Sequence, residues 1–243
     1  MFKTFKRVNI EWLDFTGDEK ADFPKVAAEK DIDPYMVRKF TSENDRDRAF
    51  ISGDNMFLSM HFPDLDQETL EYKLQEINFI IGRNYIITGK ADNSYGLLNY
   101  QENFLEQIEE EDIDLEKEFI AFPLVRMIEK VYENILLELN DIEDYIDLIE
   151  DNIFMEREKQ MVVQISEINR TLIDFRRTIR THRQTWSVFT DVAKRYFKNE
   201  ATYDALDTET IAYDKVISKA EELKELLWEL RDTNNSLLSA KLS

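Results

Sequence analysis

Residues 124–153 read LVRMIEKVYENILLELNDIEDYIDLIEDNI. Leu124, Ile128, Val131, Ile135, Leu139, Ile142, Ile146, Ile149 and Ile153 step by three and four without a break, which puts them on one stripe of a helix that needs a partner. The stripe holds for about four heptads. A second follows at Met161, Ile165, Ile168, Leu172, Phe175, Ile179, His182, Trp186 and Phe189. Only Phe154-Met155-Glu156-Arg157-Glu158 separates them, too short for anything but a tight reversal, so the pair predicts a long antiparallel helical hairpin. At ~1.5 Å per residue each arm spans about 45–55 Å, more than an ordinary globular core requires.

A third helical pattern runs from Thr208 to Ser243, with Val216, Ala220, Leu223, Leu227, Leu230 and Leu237 on one seam. Ser239-Ala240-Lys241-Leu242-Ser243 offers no glycine, asparagine or proline to close it, so the reading is of a chain cut in mid-helix.

Before Asp114 the period is different. Short apolar or alternating segments at Val8, Ile10 and Trp12, at Ala49 to Ile51, at Met56 to Phe62, at Ile77 to Ile81 and at Tyr85 to Thr88 predict strands. Ser52-Gly53-Asp54-Asn55 and Gly82-Arg83-Asn84 supply residues tolerant of positive φ for tight hairpins, so the last four strands are expected as an antiparallel meander. Helices are expected at Pro24 to Lys30, Pro34 to Phe40 and Asn99 to Glu111, two of them with proline in the first turn. The fold class is thus α+β. A mixed α/β domain with a largely antiparallel sheet (1–114) precedes the long hairpin (115–200) and a terminal helix (201–243).

Composition excludes several functions. With 51 acidic and 31 basic residues the formal charge is −20, which opposes sequence-independent binding to nucleic acid or to an anionic membrane surface. Cysteine is absent and there are two histidines, so disulfides and thiolate metal sites are impossible and a conventional zinc site lacks imidazoles. A metal held here should be hard and oxygen-liganded, such as magnesium or calcium. Met1-Phe2-Lys3-Thr4-Phe5-Lys6-Arg7 starts like an export signal, but Asn9, Glu11 and Asp14 interrupt the apolar run that should follow. No window approaches the roughly 18 apolar residues of a membrane span. Gly89-Lys90 lacks the glycine and hydroxyl of a phosphate-binding loop, and neither a Ser-His-Asp nor a Cys-His set can be nominated, so the chain does not read as an enzyme.

The order of parts, ending in Leu230-Arg231-Asp232-Thr233-Asn234-Asn235-Ser236-Leu237-Leu238-Ser239-Ala240-Lys241, resembles the cytoplasmic part of CorA-type magnesium and cobalt channels over nearly the whole chain. In that family the last helix is a stalk running into the first membrane span, and a Gly-Met-Asn loop follows at the outer mouth. Neither is in this sequence, so the resemblance implies a soluble fragment at the cytoplasmic face of the cell membrane, reaching the membrane only through spans that would follow. The family's His-Pro-Leu and Glu-Asp segment is altered to Asp33-Pro34-Tyr35 and Arg38-Lys39, which marks a divergent member.

What the resemblance implies is a homopentamer in which a stalk aspartate and an acid of the neighbouring α/β domain hold a regulatory Mg²⁺, with Co²⁺ able to substitute. Asp232 falls at the stalk position. Its partner should follow the second meander strand, in His61-Phe62-Pro63-Asp64-Leu65-Asp66, where Asp66 is favoured and Asp64 comes next. Duller readings stand beside these. Glu138, Asp141, Glu143, Asp144, Asp147, Glu150 and Asp151 fit a solvated face opposite the seam. His182 fits a packed, hydrogen-bonded histidine, and Trp186, Phe189, Tyr196 and Phe197 fit packing between hairpin and sheet. Two other functions remain open: the intracellular domain of a related zinc transporter, and a stand-alone coiled-coil adaptor without metal.

Overall fold

The computed structural model describes residues 2–7, 10–65, 72–90, 121–197 and 200–242. Strands β1 (Lys3–Arg7), β2 (Ile10–Thr16), β3 (Arg48–Ser52), β4 (Asn55–Leu65), β5 (Tyr72–Ile81) and β6 (Tyr85–Lys90) form one sheet in the order β1-β2-β6-β5-β4-β3. The meander β3–β6 is antiparallel throughout, as its turns predict, and β2 joins it by pairing parallel to β6. A buried polar chain pins that parallel register. Trp12 Nε1 donates to Thr88 Oγ1 at 2.9 Å, Thr88 donates to Asp14, and Lys90 Nζ lies 2.6 Å from Asp14 Oδ2. Burial holds the Lys90 ammonium below the ordinary lysine range, with Asp14 opposing that shift.

Period-2 alternation sorts the strands' side chains to two faces. Leu13, Phe15, Phe57, Ile80 and Ile87 pack under helices α1 (Phe23–Glu29) and α2 (Pro34–Thr41), chiefly against Phe23, Val26, Met36 and Phe40. Trp12, Met56, Leu58, Met60, Phe62, Phe79 and Ile86 face the long helices α3 (Ala121–Phe154), α4 (Glu158–Ile179), α5 (His182–Phe197) and α6 (Glu200–Leu242). The sheet is therefore the middle of three layers.

All three predicted seams are core. Every α3 position from Leu124 to Ile153 named above is buried, as are Met161, Ile165, Ile168, Leu172, Phe175 and Ile179 of α4 and Val216, Ala220, Leu223, Leu227 and Leu230 of α6. The reversal falls where expected, and Glu156 turns it with φ +66°, a left-handed conformation a non-glycine residue adopts at some cost. Arg157 N–H then donates to Asn152 O at 3.0 Å, closing the last turn of α3.

Four details differ from the sequence reading. The second seam is not one helix, because α4 stops at Ile179 and α5 restarts at His182; α4 is about 33 Å long. No glycine or proline marks the break. It is imposed from outside, by Thr181 and His182 bonding to the sheet side. Gly82 does not take positive φ, unlike Gly53 at +57°. Gly82 is glycine because a Cβ there would lie 2.4 Å from the Tyr85 ring. Residues 3–7, considered only for their charge, supply strand β1, with Phe2 stacked on Phe15 at 4.5 Å. The terminal helix begins at Glu200 and covers 43 residues, about 65 Å. The helix expected at Asn99 to Glu111 lies outside the described residues, and among those described no helix is long and apolar enough to cross a membrane.

Candidate metal site and the joint beside it

Asp64 lies near the end of β4, half-buried and paired in register with Lys73 of β5. The next residue carries the strand onto α3, where Leu65 N–H donates to Glu138 Oε2 at 3.2 Å. Glu138 is 6% exposed and also accepts from Asn134 Nδ2 at 2.8 Å. Its carboxyl is pushed up to about 8, first by burial and then by the negative charge of Asp64, with Asp141 adding to it. The sequence reading placed Glu138 on the solvated face. Its neighbour Leu139 belongs to the buried stripe, and adjacency to that stripe was the only available sign that Glu138 lies at the helix–sheet boundary.

Asp232 is exposed on α6, with its carboxylate 3.6 Å from Arg231. It lies near the hairpin tip, since Asn234 Nδ2 donates to Glu158 O at 3.2 Å. Lys219 of α6 reaches Glu143 of α3 at 2.6 Å, so the level of Glu138 and Asp64 lies near or before Lys219 on α6. At ~1.5 Å per residue, Asp232 is at least about 20 Å further along the bundle than Asp64. One chain does not bring them together. Asp66, the favoured partner, lies outside the described residues. Among the described residues no three His, Asp or Glu side chains form a metal-sized cluster. The donors nonetheless suit a hard cation, being carboxylate oxygens with no competing sulfur, and the remaining ligands would be water and a second copy of the chain.

A buried polar joint sits where α4 gives way to α5. His182, 0% exposed, has Nδ1 2.8 Å from Tyr132 Oη and Nε2 2.7 Å from His61 O. A carbonyl can only accept, so Nε2 carries the proton and Nδ1 accepts from the tyrosine. Burial pushes the pKa of His182 down despite Asp47 nearby, and the ring is neutral. His61 is the opposite case. Its Nδ1 lies 2.8 Å from Asp47 Oδ1 and its Nε2 2.9 Å from Asn44 O, so both nitrogens face acceptors and the ring is an imidazolium. Burial opposes that charge, but the Asp47 carboxylate outweighs it and the pKa is raised. Asp47 is buried too, yet its bonds to His61 and Thr181 hold it below its usual range. Trp186 Nε1 donates to Leu206 O at 3.0 Å and Tyr196 Oη to Asp54 O at 2.6 Å, so the aromatic residues of α5 do pack between the helices and the sheet.

The sequence profile described as "CorA-like Mg2+ transporter protein" matches residues 9–243. The chain belongs to the CorA-like family. That is a family of transporters and channels rather than enzymes. Solved structures agree on the fold. The complete CorA magnesium transporter of Methanocaldococcus jannaschii superposes with a TM-score of 0.76 at 14% identity, covering 98% of this chain and 73% of that one. The soluble domain of CorA from the same organism gives 0.76 at 16% identity, covering 94% and 89%. The ZntB cytoplasmic domain of Vibrio parahaemolyticus gives 0.68 at 12% identity, covering 96% and 90%. No individual curated protein matches the chain significantly by sequence.

Proposed function

We propose that this chain is the metal-sensing and gating part of a CorA-like divalent-cation channel, on the cytoplasmic face of the membrane. In this reading, residues 1–114 form the sensing domain, 115–200 the hairpin and 201–243 the stalk. Five copies form a ring, and Asp232 of one copy with Asp66 or Asp64 of the next holds a regulatory Mg²⁺, which Co²⁺ can replace. The family match over residues 9–243 carries this reading. The charge of −20 on each copy supports it, because such copies repel unless cations intervene.

A bound Mg²⁺ supplies positive charge between carboxylates that otherwise repel. With that charge missing, the paired acids push neighbouring copies apart and the stalk helices lose their closed arrangement. Since Asp232 lies at least about 20 Å beyond Asp64 along the bundle, such a bridge requires bundles tilted from the ring axis, so that the tip of one copy meets the sheet end of the next. An ion that binds only the closed ring stabilises it by about 2.7 kcal/mol per site at a hundredfold excess over its Kd.

The likeness to the ZntB cytoplasmic domain favours one second reading, the equivalent part of a zinc transporter. Titration with Mg²⁺, Co²⁺ and Zn²⁺, followed by thermal midpoint and sedimentation, separates them. Magnesium sensing predicts saturable stabilisation and larger assemblies with Mg²⁺ and Co²⁺. A response confined to Zn²⁺ supports the alternative, and no selective response to any of the three contradicts both.

A further inference from the structure

The chain is strongly acidic, yet one surface reverses the sign. Between α4 and α6 runs a groove of about 680 Å³ lined by five bases, Arg176, Arg177 and Arg180 of α4 with Lys224 and Arg231 of α6, against the single acid Glu221. Glu221 is held by Arg176 at 3.2 Å and Arg177 pairs with Asp174 at 3.1 Å, but Arg180 and Lys224 have no ion-pair partner among the described residues. In a chain of charge −20, bases gathered in this way form a local attractor for an anion.

The groove offers more than charge. Toward the hairpin tip it adjoins a second cavity of about 210 Å³, and Asn169, Trp228 and Arg231 line both. Trp228 is 50% exposed there, with the Arg231 guanidinium 4.2 Å from the centre of its ring. The smaller cavity is lined by apolar Val162, Ile165 and Leu227 and by Asn234, which is 1% exposed. Asn234 Nδ2 donates to Glu158 O, and because a carbonyl only accepts, that bond fixes the amide's orientation. Its Oδ1 is left buried with no donor among the described residues, a costly arrangement unless a donor is brought to it.

Spacing ties the two cavities to one ligand. Along α6, Asn234 lies six residues, about 9 Å, to one side of Trp228, and Lys224 lies four residues, about 6 Å, to the other. Arg176 stands level with Glu221, seven residues or about 10 Å from Trp228 on the Lys224 side. A flat base stacked on the indole presents an edge to Asn234 and sends whatever hangs from its sugar toward Lys224, Arg176 and Arg177. We propose that the α4–α6 groove binds a nucleoside polyphosphate whose base carries an exocyclic amine. Trp228 stacks the base, Asn234 Oδ1 accepts from the amine, and Lys224 with the arginines of α4 holds the phosphates. Mg²⁺ cancels part of the phosphate charge, so the metal-free nucleotide is the tighter ligand. This site goes beyond the channel reading and does not depend on the bridge at Asp232.

Calorimetric titration of the chain with ATP, at low salt and with EDTA present, tests the site. Saturable binding is expected, about tenfold weaker for inorganic triphosphate, which has no ring to stack. Inosine triphosphate, whose base lacks the exocyclic amine, should bind several-fold more weakly than ATP. Trp228→Ala should weaken ATP about tenfold and leave inorganic triphosphate unchanged, and Lys224→Glu should weaken both about tenfold. Lys25→Glu, on α1 beyond the sheet, should change neither. Cooperative thermal unfolding without ATP shows that each variant is folded. No saturable ATP binding, or binding that Trp228→Ala and Lys224→Glu leave intact, overturns the proposal. Inorganic triphosphate bound as tightly as ATP overturns it as a nucleoside site. These titrations contain no free Mg²⁺, whereas the Asp232 bridge is read in its presence, so either can fail while the other stands.

Discussion

The two ends of the long bundle are held by different chemistry. At the sheet end, α3, α4 and α5 are locked to the strands by groups with little freedom: Tyr132, His182, His61 and Asp47 share a buried network, and Phe62 packs on the His182 ring at 4.9 Å. At the tip, the seam of α6 continues past Leu230 into half-exposed Leu237, and the remaining ties are Asn234 to Glu158 O and Lys241 to Glu158 at 2.7 Å. A network of several mutually bonded buried groups over-determines geometry, while an apolar seam with two separate polar ties fixes it less tightly. The sheet end is thus the more firmly fixed of the two.

The largest test of this contrast is a pair of truncations. Phe175→Ala, toward the sheet end and fully buried, should cost about 3–5 kcal/mol, and Leu230→Ala, near the tip and 5% exposed, about 2–3 kcal/mol. Urea midpoints measure both, and equal costs would blur the distinction. Glu138→Gln sharpens it in the opposite direction. The folded pKa near 8 lies above the unfolded value of 4.5, so the wild-type group's stability contribution is full below pH 4.5 and lost as pH rises to about 8. The glutamine variant should therefore gain on wild type across that window, by on the order of 4 kcal/mol at pH 8, and match it near pH 4.

His61 gives a smaller effect of the same sign. Its raised pKa means its contribution is present below pH 6.5 and disappears as pH climbs through the folded value. Asp47, depressed, acts the other way: its contribution is present above the unfolded value of 3.8 and is lost as acid takes the pH down through its lower folded value. Hydrogen-exchange protection at the α4–α5 junction, taken relative to the intrinsic base-catalysed rate, should therefore fall in mild alkali while protection at the tip holds, and His61→Gln should abolish the difference. The smallest expected effect is Arg183→Ala. It removes an exposed pair with Asp214 and should shift stability by less than about 0.5 kcal/mol.

Much of the fold was legible because it rests on period. The three seams, the reversal at Phe154–Glu158 and the meander all follow from spacings of three, four and two, which only burial of that face satisfies. The α4–α5 break was not legible, because Ile179, His182 and Trp186 keep helical spacing straight through it. What breaks the helix is the pull of Asp47 on Thr181 and of His61 O on His182, contacts between residues 134 and 121 positions apart. Glu138 was misread for a related reason, since helical period reports which face is apolar and not which part of the polar face a strand end will cover. The site stands differently again. Asp232 and Asp64 are residues one chain keeps apart, and only a neighbouring copy could unite them.

The most direct measurement is a Mg²⁺ titration of the thermal midpoint and sedimentation of the native chain beside Asp232→Lys. The account predicts saturable stabilisation and assembly of the native chain, and a variant that folds normally but has lost most of both responses. An undiminished response in Asp232→Lys, or no response in the native chain, would contradict it.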